Sequence, residues 1–215
     1  NLSEAFENNA TVNISFTDAV TGAKEIEMLG LRGTYTMMQI ENRPAFNRLG
    51  RAYGLEYIPG TFIDGIQIAK GASTVRNGMQ SITGQINTSL IKPFEAPQVF
   101  INIFGNRLGR FELNTQLNTR LSDHWSTGLL VHGNYFNEAI DQNGDSFLDI
   151  PLKRQLNAIS RWYFRNNQWF IELSFQGIID QRDGGQKHEQ YVSRFNQQPS
   201  MLYNINTNVQ RIEAF

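Results

Sequence analysis

The chain has 215 residues, a formal net charge of −1 and a sequence pI of about 6.4, so it offers no basic field for holding nucleic acid. It contains no cysteine, which excludes a disulfide framework and thiolate metal sites, and no apolar run nears the roughly 18 residues of a membrane-spanning helix. Aromatic residues reach 12 %, with 15 Phe, while charged residues stay at 18 % and mean hydropathy at −0.40, because uncharged polar residues and Gly supply the remainder. A sheet with one apolar, aromatic-rimmed face and one uncharged polar face has this composition, whether in a membrane barrel or a soluble sandwich.

Taken in chain order, Asn1 to Glu4 has neither the basic start nor the apolar core of a signal peptide. Leu2 to Asn9 predicts a short helix, with Ser3 as its N-cap and Asn8 and Asn9 as its stop. Val12 to Phe16 alternates as a strand does, and Asp18 to Gly22 reads as a turn. Glu25 to Leu29 and Tyr35 to Ile40 are expected to form the next strand pair, separated by Gly30 to Gly33, whose glycines allow positive φ. Asn42 to Pro44 closes that pair, and Arg48 to Ile58 holds a short helix or an irregular loop. Ile63 to Lys92 then combines an alternating strand, a Gly turn at Lys70 and Gly71, a small-residue segment around Val75 and Gly78, and a second alternating strand. Pro93 and Pro97 bracket a linker.

Beyond Pro97 the alternating segments lengthen. Phe111, Leu113, Thr115, Leu117 and Thr119 share one face, and Glu112, Asn114, Gln116, Asn118 and Arg120 the other. Thr127 to Tyr135, Leu156 to Phe164 and Trp169 to Asp180 repeat the pattern. Runs of roughly 10 residues exceed the usual 5–6 of soluble strands and suit tilted membrane strands. The connections alternate in length: Ser122 to His124 and Asn166 to Asn167 are short, whereas Asn137 to Leu152 and Gln181 to about Ser200 are long. Outer-membrane barrels pair short periplasmic turns with long extracellular loops in this way, although the connection Asn106 to Gly109 is tight for an outer loop.

Several of these residues together carry a family resemblance. Lys70-Gly71, Gly78 and the run Gly84-Gln85-Ile86-Asn87 ending at Lys92 resemble the close of the plug domain in TonB-dependent outer-membrane receptors. Glu41-Asn42-Arg43-Pro44 resembles the family's acidic turn, with Asn42 in place of its glycine. The wording around Thr17 to Lys24 is similar to receptors of Bacteroidota. The resemblance implies an α+β plug over residues 1–96, followed over 97–215 by the first antiparallel strands of a transmembrane β-barrel. About five strands are evident, with two more toward Phe215, as part of a 22-stranded barrel. It further implies active import of a scarce solute such as a ferric siderophore, without covalent chemistry. A TonB-type energising protein of the inner membrane, outer-membrane lipid, a small solute and a surface lipoprotein would be the partners, and the outer membrane the location. Glu41, Asn42 and Arg43, together with the Phe46 to Tyr57 region, would contribute to solute binding from outward-facing plug loops. The chain departs from the family at two positions. Leu29 stands where an Arg often precedes Gly30, and Gln67 where a Glu is common, so the family's ionic latch between plug and wall does not carry over to them.

One local constellation suggests an ion. Asp141, Asn143, Asp145, the Phe147 carbonyl and Asp149 follow the alternate-oxygen spacing of calcium loops, in a loop expected outside the cell where Ca²⁺ is plentiful. Ser146 replaces the usual glycine and Leu152 the closing glutamate, so a solvated turn held by Asx bonds competes with that reading. No other cofactor is implied. His124, His132 and His188 have no metal-site spacing, and nothing supplies a nucleophile–base pair for a hydrolase. Met28, Met37 and Met38 read as core packing. Trp125, Tyr135, Phe136, Trp162, Tyr163, Phe164 and Trp169 are expected to form an interfacial belt. The alternative function is a calcium-dependent surface binding module of β-sandwich type.

Overall fold

The computed structural model describes residues 6, 12–46, 51–72, 81–186 and 203–215. The expected helix over Leu2 to Asn9, the segment around Val75 and Gly78, and His188 therefore fall outside the described residues, Phe6 excepted. Among the described residues the N-terminal half is built of strands with one short α-helical turn and 3-10 turns at Gly33–Tyr35 and Gly60–Phe62.

Strands β1 (Val12–Asp18) and β2 (Ala23–Met28) form an antiparallel hairpin, joined by a turn in which Asp18 accepts hydrogen bonds from the Val20 N–H and the Thr21 hydroxyl. A four-stranded sheet follows, in the order β4 (Arg43–Pro44), β3 (Thr36–Ile40), β6 (Gly84–Leu90), β5 (Ile63–Lys70). The expected pairing of Glu25 to Leu29 with Tyr35 to Ile40 is thus corrected. The first of these segments pairs back to β1, and the second runs parallel to β6, with Met38 opposite Ile86. A parallel partner needs a long crossover, and that is why no local turn signal revealed it. The helical turn α1 (Arg51–Gly54) lies within the segment expected to hold a helix or loop.

Gly84 shows why the closing motif requires glycine. Its φ is +145°, and a Cβ there would stand 2.2 Å from the Ala69 carbonyl oxygen and 2.7 Å from the Met28 sulfur. The backbone of β6 can approach β5 and the hairpin only because nothing projects at that point.

The second half is one six-stranded antiparallel meander, β7 (Val99–Gly105), β8 (Arg110–Arg120), β9 (Trp125–Phe136), β10 (Leu152–Arg165), β11 (Phe170–Gly185) and β12 (Asn204–Ala214). Chain neighbours are sheet neighbours throughout. Four of the strands lie where alternation placed them; the short connections 121–124 and 166–169 fall at one end of the sheet and the long connection 137–151 at the other, together with the tight connection 106–109.

The two faces differ in chemistry. Leu113, Leu117, Leu129, Leu156, Leu173, Phe175 and Ile179 line the outer face, exposed. Asn114, Gln116, Asn118, His132, Asn157 and Gln176 line the inner face, buried against the N-terminal half. Three inner residues, Leu130, Ile159 and Ile178, are apolar and join Ile58, Phe62, Ile86 and Leu90 in one core. The linker also presses on this face, where a Cβ at Gly128 would meet the Pro93 ring at 2.8 Å. Alternation corrects the aromatic belt: Trp125, Tyr135, Trp162 and Trp169 are exposed, but Phe136 and Tyr163 point inward and are buried. Adjacent residues of a strand cannot share a face. Tyr163 instead meets Phe94 of the linker edge-on, with centroids 5.6 Å apart.

Candidate functional site

Two clusters of charge join the halves. The first centres on Arg161 of β10, wholly buried. Its guanidinium donates to the Ile91 carbonyl at 2.6 Å, to Glu41 at 2.7 Å and to Glu172 of β11 at 2.6 Å. Glu41 reaches it from the turn after β3, where φ is +49°, and also accepts from the Leu90 N–H at 2.8 Å. Asn42, likewise at positive φ, exchanges hydrogen bonds with the Asn87 side chain. Two of the three residues expected to touch solute therefore hold the turn to β6 and to the sheet. Asn42 and Arg43 are exposed, and Arg43 stands beside Phe215 in a separate cleft.

The second cluster lies at the long-connection end. Lys153 of β10 and Arg182 of β11 are register partners on the inner face, and the Glu56 carboxylate stands between them, at 2.5 Å and 2.8 Å. Like charges directly opposite on neighbouring strands repel, so the carboxylate is what makes this pair tolerable. Burial pushes the Glu56 carboxyl up, but the charges of Lys153 and Arg182 outweigh it and hold the group at about 2. Arg182 is fixed from its other side by Asp180, at 2.8 Å, and lies over the Tyr53 ring, 4.1 Å from its centroid. The neighbouring main chain is bound too: Gln155 donates to the Glu56 carbonyl, Asn157 to that of Tyr57 and Gln116 to that of Thr61. Tyr57 is itself buried, and desolvation raises its hydroxyl pKa far above the usual range.

Glu56 and Lys153 also border a cavity of about 330 Å³ between residues 59–61 and strands β7 to β10. Phe104 and Pro59 supply apolar wall, while Arg110, Glu112, His132 and Asn134 supply polar groups. Arg110 and the Asn134 amide both engage Glu112, and His132 Nδ1 is hydrogen-bonded to Asn114 at 2.8 Å. The buried Asn134 Oδ1 has no partner. These residues sit on the polar face read from alternation. Their role was hidden because the partners of Glu56 lie 97 to 126 residues away in sequence.

In the loop where an ion was expected, the carboxylates hold N–H groups of the loop itself. Asp141 accepts from the Asp145 and Ser146 N–H groups, Asp145 from the Phe147 N–H and Asp149 from the Gln142 N–H. Ser146 takes φ +72°, where the calcium-loop glycine was missing. Among the described residues no group of three or more His, Cys, Asp or Glu is gathered as a metal site. His124 is exposed at a short connection, against the Arg165 carbonyl. Met28, Met37 and Met38 are buried.

Residues 1–85 match the TonB-dependent receptor plug domain. No curated protein sequence matches the chain. Among solved structures, the ferric-catecholate import receptor Fiu from E. coli K12 aligns over 85 % of this chain and 25 % of its own, with a TM-score of 0.62 at 16 % identity. The siderophore receptor PiuA from Acinetobacter baumannii covers 86 % of this chain and 24 % of its own, with a TM-score of 0.59 at 12 % identity. The FrpB iron transporter from Neisseria meningitidis covers 86 % and 29 %, with a TM-score of 0.63 at 9 % identity. The chain spans about a quarter of the length of these receptors, and at such identity the likeness is one of fold. No helix among the described residues is long and apolar enough to cross a membrane, which leaves strands that cross unaddressed. Residues 1–85 are thus similar to the plug domain of TonB-dependent receptors, and the chain shares the fold of part of these receptors.

Proposed function

We propose that this chain is the plug, over 1–96, and the opening barrel strands, over 97–215, of an outer-membrane importer of iron chelates energised by a TonB-type protein. The observation that carries the reading is the two-faced meander. Its apolar outer face suits lipid, while its polar inner face is filled by a domain matching the plug family. A filled lumen needs a plug that can yield, and the hydrogen bonds and ion pairs that surround the apolar contact of Leu130, Ile159 and Ile178 can be exchanged for others as it does. The names of the similar receptors, which include ferric-catecholate, enterobactin and pyoverdine receptors, favour a ferric siderophore as solute. The long connections would face outward and the short ones the periplasm. On that orientation the cavity beside Glu56, rather than the Glu41 turn, opens toward the arriving solute. Deleting the gene should abolish uptake of radio-iron presented as at least one class of siderophore, and the intact gene should restore it. Unimpaired uptake of catecholate, hydroxamate and mixed chelates in the deletion strain would reject the proposal.

A further inference from the structure

The geometry points to Glu56 as a built-in occupant of an anion site on the barrel wall, displaced when an anionic group of the solute enters the adjoining cavity. This inference rests on the import reading and concerns how the same site is gated.

Lys153 and Arg182 face each other across β10 and β11, an arrangement that is unfavourable unless an anion lies between them. The plug supplies that anion from Glu56, a residue of the segment that follows α1. The two cations are not equivalent. Arg182 keeps Asp180 as a second partner, at 2.8 Å, so it stays compensated if Glu56 leaves. Lys153 has Glu56 as its ion-pair partner and lines the cavity, so it is the cation a ligand can reach. Beside it the unpartnered, buried Asn134 Oδ1 asks for a donor, and Phe104 offers an apolar surface. A ligand that matches has a negatively charged oxygen for Lys153 and a hydrogen-bond donor for Asn134, as a catecholate or carboxylate chelate carrying amide groups does. When such a group takes Lys153, Glu56 loses one of its two cations and residues 51–61 lose a tie to the wall. The Arg161 cluster closes on Glu41 and the Ile91 carbonyl, away from the cavity, and holds the four-stranded sheet in place meanwhile.

The test uses the full-length receptor in detergent, with a ferric tris-catecholate as anionic probe and a ferric tris-hydroxamate as neutral probe. Affinity is read by intrinsic fluorescence quenching. Movement of the released segment is read by electron–electron distance between spin labels at Ala52→Cys, within residues 51–61, and Ser160→Cys on the wall. Glu56→Gln frees Lys153 and should tighten the anionic probe, while Lys153→Gln should weaken it, each by about 10-fold, as expected for one charge-assisted hydrogen bond. Both variants should broaden the label distance without ligand, as the anionic probe does in the wild type, and Lys153→Arg should retain wild-type affinity. A structural role alone would move both affinities the same way. Affinity changes of the same sign, or none, overturn the gating inference while import stands. A wild type that binds neither probe and imports no chelate overturns both readings.

Discussion

Replacing Arg161 by Met tests whether charge, rather than packing, holds the four-stranded sheet to the wall. At 2.7 Å and an effective dielectric of about 20, each ion pair of this residue is worth about 6 kcal/mol before desolvation. Desolvating a fully buried guanidinium cancels much of that, yet removing the cation alone strands Glu41 and Glu172 facing each other. Breaking a buried pair in this way costs about 3–5 kcal/mol. Arg161→Met should therefore lower plug stability by that amount, read by urea unfolding of the full-length protein with a plug-specific fluorophore. Hydrogen exchange at Leu90, whose N–H donates to Glu41, should accelerate in step. Methionine keeps most of the volume, so the loss is not a cavity effect. The discriminating variant is the triple Arg161→Met, Glu41→Gln, Glu172→Gln, which leaves no stranded charge and should return to within about 1 kcal/mol of the wild type. If the triple variant is as unstable as Arg161→Met alone, stranded charge is not the cause and the reasoning fails.

Three further outcomes follow from the geometry. Gly84→Ala places a methyl against the Ala69 carbonyl at a backbone angle that suits only glycine, and should destabilise the plug by about 3 kcal/mol or block its assembly, checked by the same unfolding assay. Glu56 is held at about 2, below its ordinary 4.5, so its contribution is fully present above pH 4.5 and disappears as pH falls toward 2. The gap is on the order of 3 kcal/mol, and Glu56→Gln should flatten the fall in plug stability over that window. Asp141→Ala removes the acceptor for two loop N–H groups and should speed hydrogen exchange at Asp145 and Ser146 about 10-fold, with millimolar calcium leaving the wild-type rates unchanged. Calcium-dependent protection of those amides would instead support the ion-site expectation.

The long strands were legible because their signal is local. Alternation over β8 to β11 fixes which residue faces which way, and Ser122 to His124 or Asn166 to Asn167 fixes where the chain turns back. The same parity rule, applied residue by residue, places Tyr163 opposite Trp162 and removes it from the belt. The plug was harder to read. β3 pairs with β6 across 48 residues through a parallel register, and no hairpin turn announces such a partner. The site was least legible, because the ion pairs of Glu41 and Glu56 with Arg161, Lys153 and Arg182 join residues from both halves. One signal was nevertheless present. Lys153, Arg161 and Arg182 fall on the polar parity of strands whose neighbouring positions carry uncharged amides and hydroxyls. A charge on that face has to be paired from the N-terminal half, where Glu41, read as a solute contact, and Glu56, given no role of its own, were the available partners.

Leu29 and Gln67 carry no charge, yet the N-terminal half is tied to the meander ionically from other positions. The clusters use carboxylates of the N-terminal half and cations of the meander. On the import reading, residues 1–96 stay seated and then yield, and the apolar core they share with Leu130, Ile159 and Ile178 cannot serve as the release, because its strength depends on area and not on what arrives in solution. Ion pairs can be exchanged for other ion pairs. At Arg161 no exchange is offered: the guanidinium is closed in by Glu41, Glu172 and the Ile91 carbonyl, and the cavity lies elsewhere. At Lys153 it is offered, because that ammonium borders open volume on one side and Glu56 on the other. The pairs are alike in chemistry and differ in access, and access is what would make one an anchor and the other a release.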